Sequence, residues 1–352
     1  MAEDVFQQEE LNEDGLQEQF EHYRFVADPG QSAVRIDKFL TDRLENASRT
    51  KVQSAADAGN ILANGKAVKS NYRVRPNDVV TVVMDYPPRD TDIVAENIPL
   101  DIVFEDEDLL VVNKPAGMVV HPGHGNFNGT LLNALAWHFS NDKSFKADDP
   151  RLGLVHRIDK DTSGLLVVAK NDYAKMHLGR QFYEKTSDRL YNALVWGYTD
   201  PEGTVSGYIG RNPKDRLQMA VVEDESMGKY AVTHYKTLLR YTYVSLIECK
   251  LETGRTHQIR VHLSSLGHPL FNDARYGGDR ILKGIPTNAY RQFVEGCFDV
   301  CPRQALHAKT LGFEHPRTGE RMFFNSEWPA DMQALVQKWE RFTDDYLEGK
   351  IK

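Results

Sequence analysis

One aspartate carries the strongest chemical signal in this 352-residue chain. It is Asp159, in "GLVHRIDKDTSGLLVVAK" at residues 153–170, between Arg157 and Lys160 and flanked by two apolar, β-branched runs. Neighbouring cations favour the ionised carboxylate, the form that a nucleophile or base needs at neutral pH. Gly153 and Gly164 give the backbone room to turn, and Thr162 and Ser163 offer local hydrogen bonds, so the carboxylate is expected to project from a rigid corner between two strands. Alone, an Arg-x-Asp turn is also the pattern of a structural ion pair. A second segment, "LETGRTHQIRVH" at 251–262, packs Arg255, His257, Arg260 and His262 into eight positions after a strand and a glycine turn. A guanidinium there can lock a carboxylate through two parallel hydrogen bonds, and a polar helix start binds anions. Arg260 and His257 share a helical face if the helix has begun by His257. Tyr191 lies within the strand pattern "RLYNALVWG", where spacing alone gives it no role.

Other chemistries find less support. His121, His124, His156, His257 and His262 fall in no H-E-x-x-H pattern, so a hydrolytic metal site is not expected. Cys249, Cys297 and Cys301 are too few for a disulfide framework and favour a reducing compartment. The acidic N-terminus does not have the pattern of a signal peptide, and no apolar run approaches bilayer-spanning length, which implies a cytoplasmic protein with no membrane partner. The net charge of −8 is unevenly spread: residues 1–22 hold eight acids and no Lys or Arg, leaving 43 acids against 43 bases beyond them. Total charge therefore does not exclude RNA.

The elements that must position these residues fall into two domains. Residues 1–33 are expected to form a disordered acidic tail. Residues 34–85 read as helix, helix, hairpin and strand: Ile36, Phe39, Leu40 and Leu44 share one face, Ser48 caps a second helix that stops at Gly59, and Asn64-Gly65 suits a type I′ turn. This segment holds nine Lys or Arg against six acids. Residues 86–97, with Pro87-Pro88, read as a linker. From 98 to 330 strand patterns dominate (109–113, 165–170, 190–197, 230–239, 243–252), with helical patterns near 130–139, 172–186 and 256–266. An α+β fold with a mixed, largely antiparallel sheet follows. Residues 331–352 form an amphipathic helix expected to dock through Met332, Leu335, Val336, Trp339, Phe342 and Tyr346.

The pattern "RIDKFLTDRL…SRTKVQSAADAGNILANGKAVKSNYRVRPNDVV" resembles the S4 RNA-binding domain, which implies RNA contacts for Arg35, Arg49, Lys51 and Lys66. "HRIDKDTSG" resembles the signature of the pseudouridine synthases named for ribosomal large-subunit enzymes. Supporting motifs occur in that family's order: "EDEDLLVVNKPAGMVVHPG", "LYNALVWG", "LETGRTHQIRVH", "HPLFNDARYGG" and "QALHAKTLGFEHP". The one departure inside the signature is Ile158, where leucine is usual. The resemblance implies a pseudouridine synthase fold and isomerisation of uridines in 23S ribosomal RNA or a large-subunit precursor; the chain is expected to be a monomer. It makes Asp159 the catalytic aspartate, Tyr191 the aromatic beside the target base and Arg260 the partner of Asp159. Arg157 then holds the RNA open as the base flips, with Arg255 and His257 as further RNA contacts. Isomerisation involves no redox change, so no metal and no organic cofactor are expected. The alternative on the same fold is a non-catalytic, rRNA-binding assembly factor.

Overall fold

The computed structural model describes residues 20–44, 47–84, 93–122, 126–140, 153–213, 215 and 218–351. The chain divides into two compact units, before and after residue 92. The first contains strands β1 (Phe20–Val26) and β2 (Val34–Arg35), helices α1 (Ile36–Thr41) and α2 (Arg49–Asp57), and strands β3 (Ile61–Ala63), β4 (Lys66–Ala67), β5 (Arg73–Val74) and β6 (Val79–Met84). The Ser48 side chain caps α2 by accepting from the Lys51 amide. Asn64 and Gly65 take φ of 51° and 74°, both positive as the tight β3–β4 turn requires. Ile36, Phe39 and Leu40 of α1 bury against Val52, Ile61, Val80 and Val82.

One boundary differs from expectation. Residues 20–33 are not all tail, because β1 pairs antiparallel with β6 and opens the sheet order β1-β6-β3-β4. In "FEHYRFV" Tyr23 and Phe25 stand two apart, but a bulge between Glu21 and Tyr23 breaks the period-2 pattern, and the acidic composition beside it obscures the strand. The acidic residues 1–19 lie outside the described residues.

The second unit comprises strands β7 (Ile102–Glu105) and β8 (Leu109–Lys114), helix α3 (Leu131–His138), β9 (Ser163–Ala169), α4 (Asp172–Glu184), β10 (Asp188–Trp196), β11 (Glu202–Arg211), β12 (Met219–Val222), β13 (Gly228–Arg240) and β14 (Val244–Leu251). Helices α5 (Gln258–Ser265) and α6 (Asn288–Val300), strands β15 (Leu306–Glu314) and β16 (Arg321–Asn325), and helix α7 (Ala330–Leu347) complete it. Ten strands form one sheet in the order β12-β11-β13-β14-β10-β15-β9-β8-β7, with β16 also on β15. Among the described residues, only the β15–β9 pairing is parallel. The mixed, largely antiparallel α+β expectation agrees with this architecture.

Two clusters flank the sheet's central strands. In one, α3 and α5 pack on β8, β9 and β10 through Leu131, Leu135, Ile259, Leu263, Leu166 and Ala193. In the other, α6 and α7 cover Leu194, Trp196 and Leu246 with Val294, Cys297, Leu335 and Trp339. The C-terminal helix thus docks through its expected stripe, although Tyr346 stays 40% exposed. Residues 93–97 belong to this unit and are not linker: Asn133 donates to the Val94 carbonyl, and Glu96 accepts from the Gly129 amide. The rest of the expected linker, from residue 86 to 92, lies outside the described residues. All three cysteines are free and buried, and burial pushes the Cys297 and Cys301 thiols up to about 12. Among the described residues no helix is long and apolar enough to cross a membrane.

Candidate active site

The segment before Asp159 is not a strand. It makes only an isolated antiparallel bridge, Leu154 to Val168, as the chain folds back on β9. The two flanking glycines are required by close approach. A Cβ on Gly153 (φ +75°) would sit 1.8 Å from the Ala169 carbonyl oxygen, and one on Gly164 (φ +117°) would sit 2.3 Å from that of Ala308. The turn closes by a backbone bond from Thr162 N to the Asp159 carbonyl, 3.2 Å. Side-chain support comes from farther away than the sequence suggests. Among the described residues the Thr162 hydroxyl is buried without a hydrogen-bond partner, and Ser163 Oγ pairs with His307 Nδ1 at 2.9 Å.

Two distant cations hold the loop instead. Lys114, fully buried at the end of β8, donates from Nζ to the carbonyls of Pro115, Met118 and Lys160. Burial lowers its ammonium pKa to about 7. Arg303 donates from Nη1 to the Asp161 carbonyl at 3.0 Å while its Nε and Nη2 grip Asp331 at 2.7 and 3.0 Å. Asp331 opens α7, so the docked C-terminal helix is wired to the aspartate loop.

Arg260 comes to Asp159 from α5. Its Nη1 donates to Asp159 Oδ2 at 3.1 Å, and its Nε and Nη2 make a fork on the fully buried Asp273, at 2.7 and 2.9 Å. Burial works against the charged guanidinium, but Asp273 and then Asp159 outweigh it and hold its pKa above the ordinary value. One arginine therefore shares its charge between a buried anchor and a carboxylate whose side chain remains 19% exposed. The helix begins one residue later than shared-face geometry for His257 and Arg260 would need. His257 is its N-cap in left-handed conformation, φ 57°, and its Nδ1 pairs with Tyr276 Oη at 2.8 Å. Burial lowers the His257 pKa to about 4 despite Asp159, so the ring is neutral at pH 7.

Asp159, Arg260, Tyr191, Arg157, Arg255 and His257 all line one open cleft. Arg157 and Arg255 are exposed at it. Tyr191 is 6% exposed, and burial raises its phenol pKa, with Asp159 adding to the effect and Arg189 opposing it. The phenol is thus held neutral, and a preformed phenolate base is not at hand. Two of the four RNA-contact residues expected in the first unit have other commitments as well. Arg35 and Arg49 both donate to the fully buried Asp37, at 2.9 and 3.1 Å. Lys66 is exposed, and the Lys51 amide serves the α2 cap. Sequence reasoning passed over Asp273, Lys114, Arg303 and Arg189; the first lies inside a quoted motif, "NDARYGG", and its acid type was the available signal.

The histidines considered for a metal site do not converge. His156 stacks on Phe182 and accepts from the Val167 amide, and His262 Nδ1 pairs with Thr233. His124 lies outside the described residues. Among the described residues, Asp106, Asp108 and His315 do cluster, but Arg317 takes Asp108 in a two-pronged ion pair.

Comparison with known proteins decides among the chemistries this geometry allows. A family model described as "RNA pseudouridylate synthase" matches residues 108–265, and one for the S4 domain matches residues 34–80. An uncharacterized RNA pseudouridine synthase of Bacillus subtilis is 47% identical over 313 residues, covering 89% of this chain and 96% of that protein. The chain belongs to the RNA pseudouridine synthase family. As a pseudouridine synthase it is an isomerase that converts uridine in RNA to pseudouridine. The ribosomal large subunit pseudouridine synthase D of Zymomonas mobilis is 44% identical over 306 residues, 86% of this chain and 93% of that one. Its counterpart in Nitrosomonas europaea is 41% identical, covering 92% and 89%. Among solved structures, human RNA pseudouridylate synthase domain containing 1 matches at a TM-score of 0.51 and 28% identity, covering 72% of this synthase and 90% of that chain.

Proposed function

We propose that this pseudouridine synthase acts on large-subunit (23S) ribosomal RNA in the cytoplasm, as a monomer, with Asp159 as its catalytic residue. The rRNA target rests on the relatives named for the ribosomal large subunit and on the S4 match. The observation that carries the catalytic assignment is the Asp159 carboxylate, tethered by Arg260 and still open to a cleft lined by arginines.

The reaction breaks the C1′–N1 bond of uridine, turns the uracil, joins C5 to C1′ and exchanges the C5 proton for one on N1. Atoms and electrons balance within the nucleotide, so the residues present suffice in this reading. The Asp159 carboxylate either attacks the sugar or ring, or takes a sugar proton to give a glycal; Arg260 keeps it aimed in each case. The target must leave its stack to reach this carboxylate, at a cost of a few kcal/mol, and exposed Arg157 fills the gap. Tyr191 packs beside the uracil. As a neutral phenol it serves the C5 proton poorly as a base unless that step lowers its pKa, and Asp159 is the other acceptor in the cleft.

The test is Asp159→Asn, assayed by pseudouridine mapping in 23S rRNA and by RNA affinity. Loss of at least ~10²-fold in turnover with affinity retained is expected. Turnover at the wild-type rate would overturn the assignment, and pseudouridines unchanged in cells lacking the chain would overturn the rRNA target.

A further inference from the structure

Among the described residues, Arg189 stands apart from the other buried arginines of the second unit. It is 8% exposed on β10, two residues before Tyr191 and therefore on the same face of the strand. It lines the cleft with Asp159 and Tyr191. Its Nε is buried without a hydrogen-bond partner, and its guanidinium makes no ion pair among the described residues. The contrast with its neighbours is direct: Arg260 has Asp159 and Asp273, and Arg303 has Asp331. Among the described residues, the Arg189 head lies over the face of Phe182, 5.3 Å away. A cation–π contact of about 0.5–2 kcal/mol does not offset the several kcal/mol that desolvating an unpaired guanidinium costs.

A second orphan faces the same space. The Thr162 hydroxyl, on the loop after Asp159, is buried and unbonded among the described residues, and Thr162 also lines the cleft. Glycine at 254 keeps the opposite wall off the guanidinium, since a Cβ there would come within 3.1 Å of Arg189 Nη1. The cleft wall holds four guanidiniums (Arg157, Arg189, Arg255, Arg260) and one carboxylate, Asp159, which Arg260 already neutralises. The missing partner is thus an anion brought by the ligand. Uracil and ribose are neutral, and the anions of an RNA strand are its phosphodiesters.

We infer that Arg189 is a phosphate-binding residue: its unpaired guanidinium receives a phosphodiester adjacent to the uridine presented to Asp159, with the Thr162 hydroxyl as a further donor. This deepens the functional reading above and rests on it. Arg189 seats the strand so that the ribose faces Asp159. It differs from the exposed Arg157 and Arg255 in being buried, so less side-chain freedom is lost when its guanidinium takes phosphate in two parallel hydrogen bonds.

The test is a double-mutant cycle between protein and RNA. A short RNA substrate carries a neutral methylphosphonate in place of the phosphate on the 5′ or the 3′ side of the target uridine, or at a remote linkage. It is paired with the wild-type enzyme, Arg189→Gln and Arg189→Lys, and read in Kd and in single-turnover rate. One adjacent methylphosphonate is expected to weaken the wild type by about 10- to 100-fold, and Arg189→Gln by a similar factor, while the two together cost little more than either. Arg189→Lys should recover part of the loss. Additive losses at both adjacent linkages, or adjacent linkages no more costly to the wild type than remote ones, would overturn the proposal. The wild-type series needs no variant to fold, and reading Kd keeps the test of Arg189 separate from pseudouridine yield, which tests the function.

Discussion

Arg260 Nη1 lies 3.1 Å from Asp159 Oδ2, across 101 residues of chain, and the same guanidinium is clamped from its other edge by Asp273. The clamp leaves Arg260 little freedom to follow Asp159 if the loop moves. Asp273 is therefore a positioning residue for the carboxylate. Asp273→Asn leaves a buried charge short of its partner and is expected to cost about 3–5 kcal/mol of stability. A fall in melting temperature together with a drop in turnover checks it; a variant as stable and active as the parent would disprove the clamp.

Arg303 gives the aspartate loop its second anchor. Asp331→Asn removes the carboxylate that fixes Arg303, while the carbonyl of Asp161 keeps its donor only if the guanidinium stays in place. Turnover is expected to fall more than RNA affinity, because the loop that carries Asp159 loosens while the arginines at the cleft remain. Equal changes in kcat and Kd would argue against a positioning role and for general destabilisation.

Stability should depend on pH through buried neutral histidines. Burial lowers His262 to about 4, and His307 likewise to about 4, from an ordinary 6.5. Between about 6.5 and 4 the unfolded chain binds protons that the folded chain does not, so stability falls as pH drops through that window and is unaffected by these groups above it. Each contributes at most about 1.4 kcal/mol per pH unit. Melting temperatures from pH 8 to 4 measure it, and His262→Gln should flatten the acid slope.

Salt should separate the roles of the two units. Phosphate contacts release counterions, so RNA affinity is expected to fall steeply with ionic strength. Lys66, exposed on β4 and unlike Arg35 and Arg49 free of the Asp37 cluster, is the sharper probe of the S4 domain. Lys66→Gln should reduce the logarithmic salt slope by about 0.7–0.9 with turnover at saturating RNA unchanged. A slope identical to the parent's would remove Lys66 from the RNA surface.

Local signals were legible in the sequence because local chemistry causes them. Ser48, Gly59 and Asn64-Gly65 punctuate the first unit where a cap, a helix stop and a tight turn need them. The apolar runs of β8, β9, β10 and β14 announce strands buried on both faces. The glycines at 153 and 164 pointed to a constrained corner, and the atoms they make room for, the carbonyl oxygens of Ala169 and Ala308, belong to neighbouring strands. Less legible was β1, whose pairing with β6 is set by a partner more than fifty residues away. Thr162 has the type of a local hydrogen-bonding residue, yet its hydroxyl is buried without a partner among the described residues.

By itself the sequence determined which residue types were available: a carboxylate among cations, a basic turn into a helix, a strand tyrosine, and the order of motifs that marks the family. Tertiary structure alone decided who meets whom. It set Asp273 behind Arg260, Lys114 and Arg303 beneath the aspartate loop, and Arg189 in the cleft without a counter-ion. The reason is physical: the strength of a charge depends on burial and on partners within a few ångströms, and in a sheet of ten strands those partners come from residues far apart in the chain.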